Sequence, residues 1–145
     1  MEIIGWYYLH TNGELIYKRN FDGTEADIRE SSFSRALWPV DPSDRAGGWT
    51  ILVEALAAGA NEQFVMDRAE QWNCDDEDAR IYAERVGCIL SRDGNAWCAT
   101  RKDFVDLAQS PAGFGDTCLK AMAELAKTLG YRPSKMGRGF ADYLK

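Results

Sequence analysis

Between Trp49 and Thr100 the apolar residues change period, and that change limits the chain to folds that combine helices with antiparallel strands. Trp49, Leu52, Val53 and Leu56 recur at helical spacing, and Gly59 ends the run. Asn61 is placed to cap a second helix with Phe64, Val65, Ala69 and Trp72 inward, and Asn73-Cys74-Asp75 breaks it. A third helix is expected from Asp76 to Val86, with Ala79, Tyr82, Ala83 and Val86 on one face and Gly87 at its end. The pattern then shortens. Cys88–Arg92 and Ala96–Thr100 read as two strands around the turn signal Asp93-Gly94-Asn95.

The flanks add elements of both kinds. Two strand-forming runs, Trp6–Leu9 and Leu15–Lys18, surround Asn12-Gly13, a pair suited to a two-residue type I′ turn. That turn would set Leu9 opposite Ile16 and Tyr8 opposite Tyr17. Thr24 is a candidate cap for a short helix through Glu30, and Ser32 to Trp38 is expected to form another, stopped by Pro39. Phe104–Leu107 is a candidate third strand. Asp116 or Thr117 would cap a long helix carrying Cys118, Met122, Leu125, Ala126 and Leu129 inward, and a short helix is expected at Phe140–Leu144. The class is therefore α+β: an N-terminal β-hairpin, a three-helix middle, a second hairpin and a C-terminal helix. At 145 residues it reads as a single domain, 1–145, with a sizeable core.

Composition narrows the function. No run of about 18 apolar residues exists, so no membrane span is expected, and Ile3–Leu9 lacks the flanks of a signal peptide. Cys74, Cys88, Cys98 and Cys118 contain no C-x-x-C pair, and the single histidine, His10, is remote from all of them, so buried reduced thiols in a cytoplasmic protein are expected and no metal site. The net charge of −6 is uneven: residues 61–90 hold eight acids and three bases, whereas residues 91–145 hold six acids and nine bases. An acidic chain is a poor general ligand for phosphate backbones.

The spacing Ala69, Asn73, Ala79 supports a helix-turn-helix shape, since Asn tolerates the left-handed backbone such a turn needs. With the following hairpin as a wing, residues 49–100 resemble a winged helix-turn-helix. The resemblance implies a recognition helix whose N-terminal residues meet base edges. Here those residues are Asp75, Asp76, Glu77 and Asp78, which would face phosphate oxygens with carboxylates. Arg80, Arg92, Arg101, Lys102, Arg132, Lys135 and Arg138 are the residues a nucleic-acid binder would use. Phe104-Val105-Asp106-Leu107 followed by Gly115-Asp116-Thr117 and Ala121 resembles a segment of HicB-like antitoxin domains, although an ordinary Asp/Thr helix cap after a Gly-rich loop is the favoured reading of these residues. In overall style the chain resembles small accessory proteins of phages and prophages.

No catalytic constellation stands out. His10 lies beside a turn with no nucleophile near it in sequence. Gly113-Phe114-Gly115 is not followed by the Lys-Ser/Thr of a phosphate loop. Asp75, Asp76 and Asp78 have Arg80 where a calcium loop needs glycine. The expectation is a non-enzymatic protein-interaction or regulatory module without cofactors. Its partner-binding candidates are Arg29, Phe33, Arg35 and Trp38, because aromatics with arginine anchor interfaces, together with Asp75, Asp76 and Asp78. The alternative is a winged-helix nucleic-acid-binding regulator.

Overall fold

A computed structural model describes residues 5–19, 34–40, 45–106, 108–132 and 139–144. These form two three-stranded antiparallel sheets and five helices, an α+β architecture. Sheet one contains β1 (Gly5–His10), β2 (Leu15–Arg19) and β3 (Ser34–Val40) in the order β2-β1-β3. The helices α1 (Arg45–Ala57), α2 (Glu62–Gln71) and α3 (Asp76–Val86) follow. Sheet two contains β4 (Cys88–Asp93), β5 (Ala96–Arg101) and β6 (Ala112–Gly115) in sequential order. Helix α4 (Cys118–Thr128) and the short α5 (Phe140–Tyr143) complete the chain.

The first hairpin is shifted by one residue from the register its Asn-Gly pair predicts. Leu9 pairs with Leu15 and Tyr7 with Tyr17. The loop has three residues, Thr11-Asn12-Gly13: Gly13 N–H donates to His10 O and His10 N–H to Glu14 O, both at 2.9 Å. Only Gly13 takes positive φ (93°), whereas a type I′ turn needs it at both central positions. The Asn12 side chain accepts from Glu14 N at 2.9 Å, and Gly13 O accepts from Asn61 N at 2.8 Å. Docking of the hairpin tip on the turn between α1 and α2 therefore favours the longer loop. The shift puts Tyr7, Leu9, Leu15 and Tyr17 on one face, where Leu9 and Leu15 are buried.

The helix expected over Ser32–Trp38 is instead strand β3, paired antiparallel with β1. Two local facts favour the strand. The residue before proline is driven out of the helical region, and a proline is tolerated on an edge strand, which β3 is. Trp38, expected on the surface, is only 6% exposed and faces Tyr7. The helix expected at Thr24–Glu30 lies outside the described residues.

The middle follows its periodicity. In α1, Trp49, Leu52 and Val53 are buried, and so are Ile51, Ala55 and Glu54, because this helix passes through the centre and is covered on more than one side. Asn61 caps α2 through Gln63 N, and Asp75 caps α3 through Asp78 N at 2.8 Å. Asn73 adopts φ 53° between them, as its position requires. Phe64 departs from expectation: it is 39% exposed, and Val65 is the buried residue of α2.

Sheet two closes differently from the sequence reading. The β4–β5 loop is Gly94-Asn95, with Gly94 at φ 63°. Phe104, Val105 and Asp106 are not in a strand, and Leu107 lies outside the described residues. The Asp106 carboxylate accepts from Ala108 N and Gln109 N at 2.9 Å, which folds that segment into a turn. The third strand is Ala112–Gly115, antiparallel to β5. Its glycines allow close approach of α4: a Cβ on Gly113 would collide with Ala121 O and Leu125 N, and one on Gly115 with Lys120 Cβ. Thr117 caps α4 through Lys120 N at 3.1 Å, and Cys118, Met122, Leu125 and Ala126 are fully buried. One hydrophobic cluster draws on both sheets and on all five described helices.

Candidate protein-binding face and groove

The register of sheet two sorts its residues onto two faces. Leu90, Ala99 and Gly113 form one row and Arg92, Trp97 and Gly115 the next, on the side where α4 meets the glycines and Arg80 of α3 reaches Trp97. The opposite face carries the rows Ile89-Thr100-Ala112 and Ser91-Cys98-Phe114. None of those six residues is charged. Ile89 is 45% and Phe114 41% exposed, while the smaller Thr100 and Cys98 of the central strand are shielded between their neighbours. The third row, Asp93-Ala96, lies at the hairpin end and brings the one charge of this face, a carboxylate that acts on Cys98. Away from it the exposed Ile89 and Phe114 form an apolar contact surface.

Beside this face lies a groove of about 550 Å³. All four residues of β6 line it, which a cavity on one face of the strand would not achieve, because neighbouring side chains alternate. The groove therefore follows the outer edge of β6, where no described strand pairs. Its walls are Leu56, Gly59 and Ala60 from the end of α1, and Ala123, Lys127 and Thr128 from α4. At one end Lys120 bridges to Glu62 at 2.6 Å and to Asp116 at 3.0 Å, joining α4 to α2. Those two hydrogen bonds raise the Lys120 pKa. Further along, Lys127 pairs with Glu124 at 3.2 Å. The rim is thus charged but internally matched, and the floor is small and apolar.

The residues singled out from sequence are distributed otherwise. Trp38 is buried, its indole N–H donating to Glu54 at 3.2 Å, so it is removed from the interface group. Arg29 and Phe33 lie outside the described residues, and of Arg35 only the backbone, in β3, is described. Asp75 and Asp76 are exposed and Asp78 half-buried at the start of α3. Arg80 and Arg92 are brought together: both guanidinium groups lie over the Trp97 ring, at 5.9 and 5.1 Å from its centre. Arg101 is four positions further along β5 and pairs with Asp103 at 2.7 Å. Lys102 and Arg132 are exposed, and Lys135 and Arg138 lie outside the described residues.

The reactive side chains serve the core. Glu54, 4% exposed, accepts from Trp38 Nε1, from Tyr131 OH at 3.0 Å and from Phe140 N at 3.1 Å. Burial raises its pKa, although these three hydrogen bonds pull the other way. Burial, then the Glu54 charge, pushes the Tyr131 hydroxyl up. All four cysteines are in the thiol form. Burial pushes the Cys88 and Cys118 pKa values up to about 12, with Asp76 adding to the effect at Cys118. Thiols so placed are not nucleophiles at neutral pH. Among the described residues no group of three or more His, Cys, Asp or Glu side chains is placed to hold a metal ion. No described helix is long and apolar enough to cross a membrane.

Sequence reasoning missed the groove, although the Gly113-x-Gly115 spacing was a usable sign of a strand pressed against a helix. It also passed over Glu54, a lone carboxylate in the apolar run Trp49–Ala58. Comparison of the chain with protein-family models, curated proteins and solved structures finds no significant match.

Proposed function

We propose that the chain is a non-enzymatic protein-interaction module of regulatory type, acting in the cytoplasm and engaging its partner through sheet two. The outer face carries this reading: it exposes Ile89 and Phe114, and its only charge is Asp93 at the hairpin end. The apolar part of such a patch loses little on desolvation. The accessory role expected of a phage-type protein, modulation of a host or phage complex, is compatible with such a face.

A photo-crosslinking residue placed at Ile89 tests the reading in bacterial cells. The expected result is one discrete adduct with a single protein species, lost when Ser91→Arg is added to the same face. A crosslinker at Glu84 of α3 serves as the control. Adducts of equal yield from both positions, or none from Ile89, count against the proposal.

The nucleic-acid alternative has the order α2, turn, α3, hairpin in its support and the charge of α3 against it. Its first turn presents Asp76, Glu77 and Asp78, and two of its arginine partners, Arg80 and Arg92, are engaged on Trp97. Absence of binding to duplex DNA at about 50 mM salt would exclude it, since that is where phosphate contacts are strongest.

A further inference from the structure

The β4–β5 loop determines which backbone groups of β6 are free. In a two-residue hairpin the residues flanking the loop exchange both ladder hydrogen bonds. Asp93 and Ala96 are that pair. Cys98 and Thr100, in phase with Ala96, therefore direct their N–H and C=O groups to β4, and Trp97 and Ala99 direct theirs to β6. The partners of Trp97 and Ala99 are Gly115 and Gly113. It follows that Ala112 and Phe114 point their N–H and C=O groups away from β5, into the groove.

We propose that this groove takes an extended, uncharged segment of a partner protein as a fourth strand of sheet two, hydrogen-bonded to the backbone of Ala112 and Phe114. The inference rests on the protein-interaction reading and names its site. Three features select the occupant. The open donors and acceptors suit a strand, whereas a helix has already used its own. The groove runs along the strand edge between the α1 terminus and α4, which matches a narrow extended chain. The rim lysines Lys120 and Lys127 are already paired with Glu62, Asp116 and Glu124, so charged side chains on the incoming segment would find no unmatched partner there, while Leu56, Ala60 and Ala123 accept small apolar ones.

The probe is the capped heptapeptide acetyl-Thr-Val-Thr-Val-Thr-Val-Thr-amide, titrated into the isotopically labelled full chain and followed by amide NMR. Saturable shifts at Ala112–Gly115, with slowed solvent exchange of the Ala112 and Phe114 amides, are expected. A peptide N-methylated at alternate residues, on the side that faces β6, should bind about tenfold more weakly or not at all, as loss of a pair of backbone hydrogen bonds implies. Ala112→Pro should weaken binding similarly, because it deletes an outward N–H and leaves the β5 ladder intact. The N-methyl comparison needs no variant to fold. No shifts at β6, equal binding of the N-methylated peptide, or a concentration-dependent dimer that occupies the edge would each overturn the proposal. If the peptide fails while the Ile89 crosslink forms, strand addition is wrong and the interaction module stands. If both fail, the underlying reading falls too.

Discussion

Glu54 and Tyr131, separated by 77 positions in sequence, meet at 3.0 Å inside the core. The same carboxylate accepts from Trp38 of β3 and from the first N–H of α5, so one side chain ties together sheet one, α1 and the C-terminal segment. The α5 contact places negative charge at a helix start, where the unsatisfied N–H groups welcome it.

Replacing this carboxylate should cost stability in a defined way. Glu54→Gln retains size but exchanges one acceptor for a donor, leaving one of three buried donors unmet. The expected loss is about 1–3 kcal/mol, measured by urea unfolding at pH 7.

The pH dependence has a sign that can be worked out. Because the folded-state pKa of Glu54 is raised above its ordinary value of 4.5, the folded chain binds more protons than the unfolded chain at and above that pH. The contribution of this group is fully present below 4.5 and is lost as pH rises through the folded-state value. The stability difference between the native chain and Glu54→Gln should therefore shrink from pH 4.5 upward and then level off. A difference that grows over that interval would contradict the assignment.

Two glycines of sheet two should respond to alanine for different reasons. At Gly113 the new methyl meets helix backbone, so α4 must shift, and the cost is about 1–3 kcal/mol or loss of folding. At Gly94 the methyl meets nothing within 4 Å, and only the φ of 63° is penalised, by roughly 1–2 kcal/mol. Thermal unfolding of both variants should rank them in that order.

Thr117→Ala removes the cap of α4, whose hydroxyl accepts from Lys120 N. A loss of about 1 kcal/mol is expected. Thr117→Ser should recover most of it, which separates the hydrogen bond from packing of the methyl group.

Thiol chemistry offers an independent check on burial. Cys74 is half-buried, whereas Cys88, Cys98 and Cys118 are buried. In the native chain at pH 8 a disulfide reagent should modify Cys74 first. Cys88 and Cys118, with pKa values near 12, hold roughly one thiolate in ten thousand at that pH and should react only as the chain unfolds.

The sequence by itself determined the parts whose cause is local. The helices α2, α3 and α4 follow from apolar period and from the caps Asn61, Asp75 and Thr117. The left-handed turn follows from Asn73, and the second hairpin from Gly94. In each the deciding hydrogen bond or dihedral lies within a few residues, so a short window contains it. Tertiary structure decided the rest. Ser34–Val40 is a strand because β1 offers it an open edge, and Trp38 is buried because Glu54 lies beneath it. The first hairpin keeps a three-residue loop because Asn61 reaches Gly13. Ala112–Gly115 is the third strand because only its glycines admit α4 so closely. The outer face and the groove arise from the same step: pairing β6 with β5 turns Phe114 outward and leaves the far edge of β6 without a described partner strand. Such features depend on strand register and helix approach, which residues distant in sequence set together, and no local period records them.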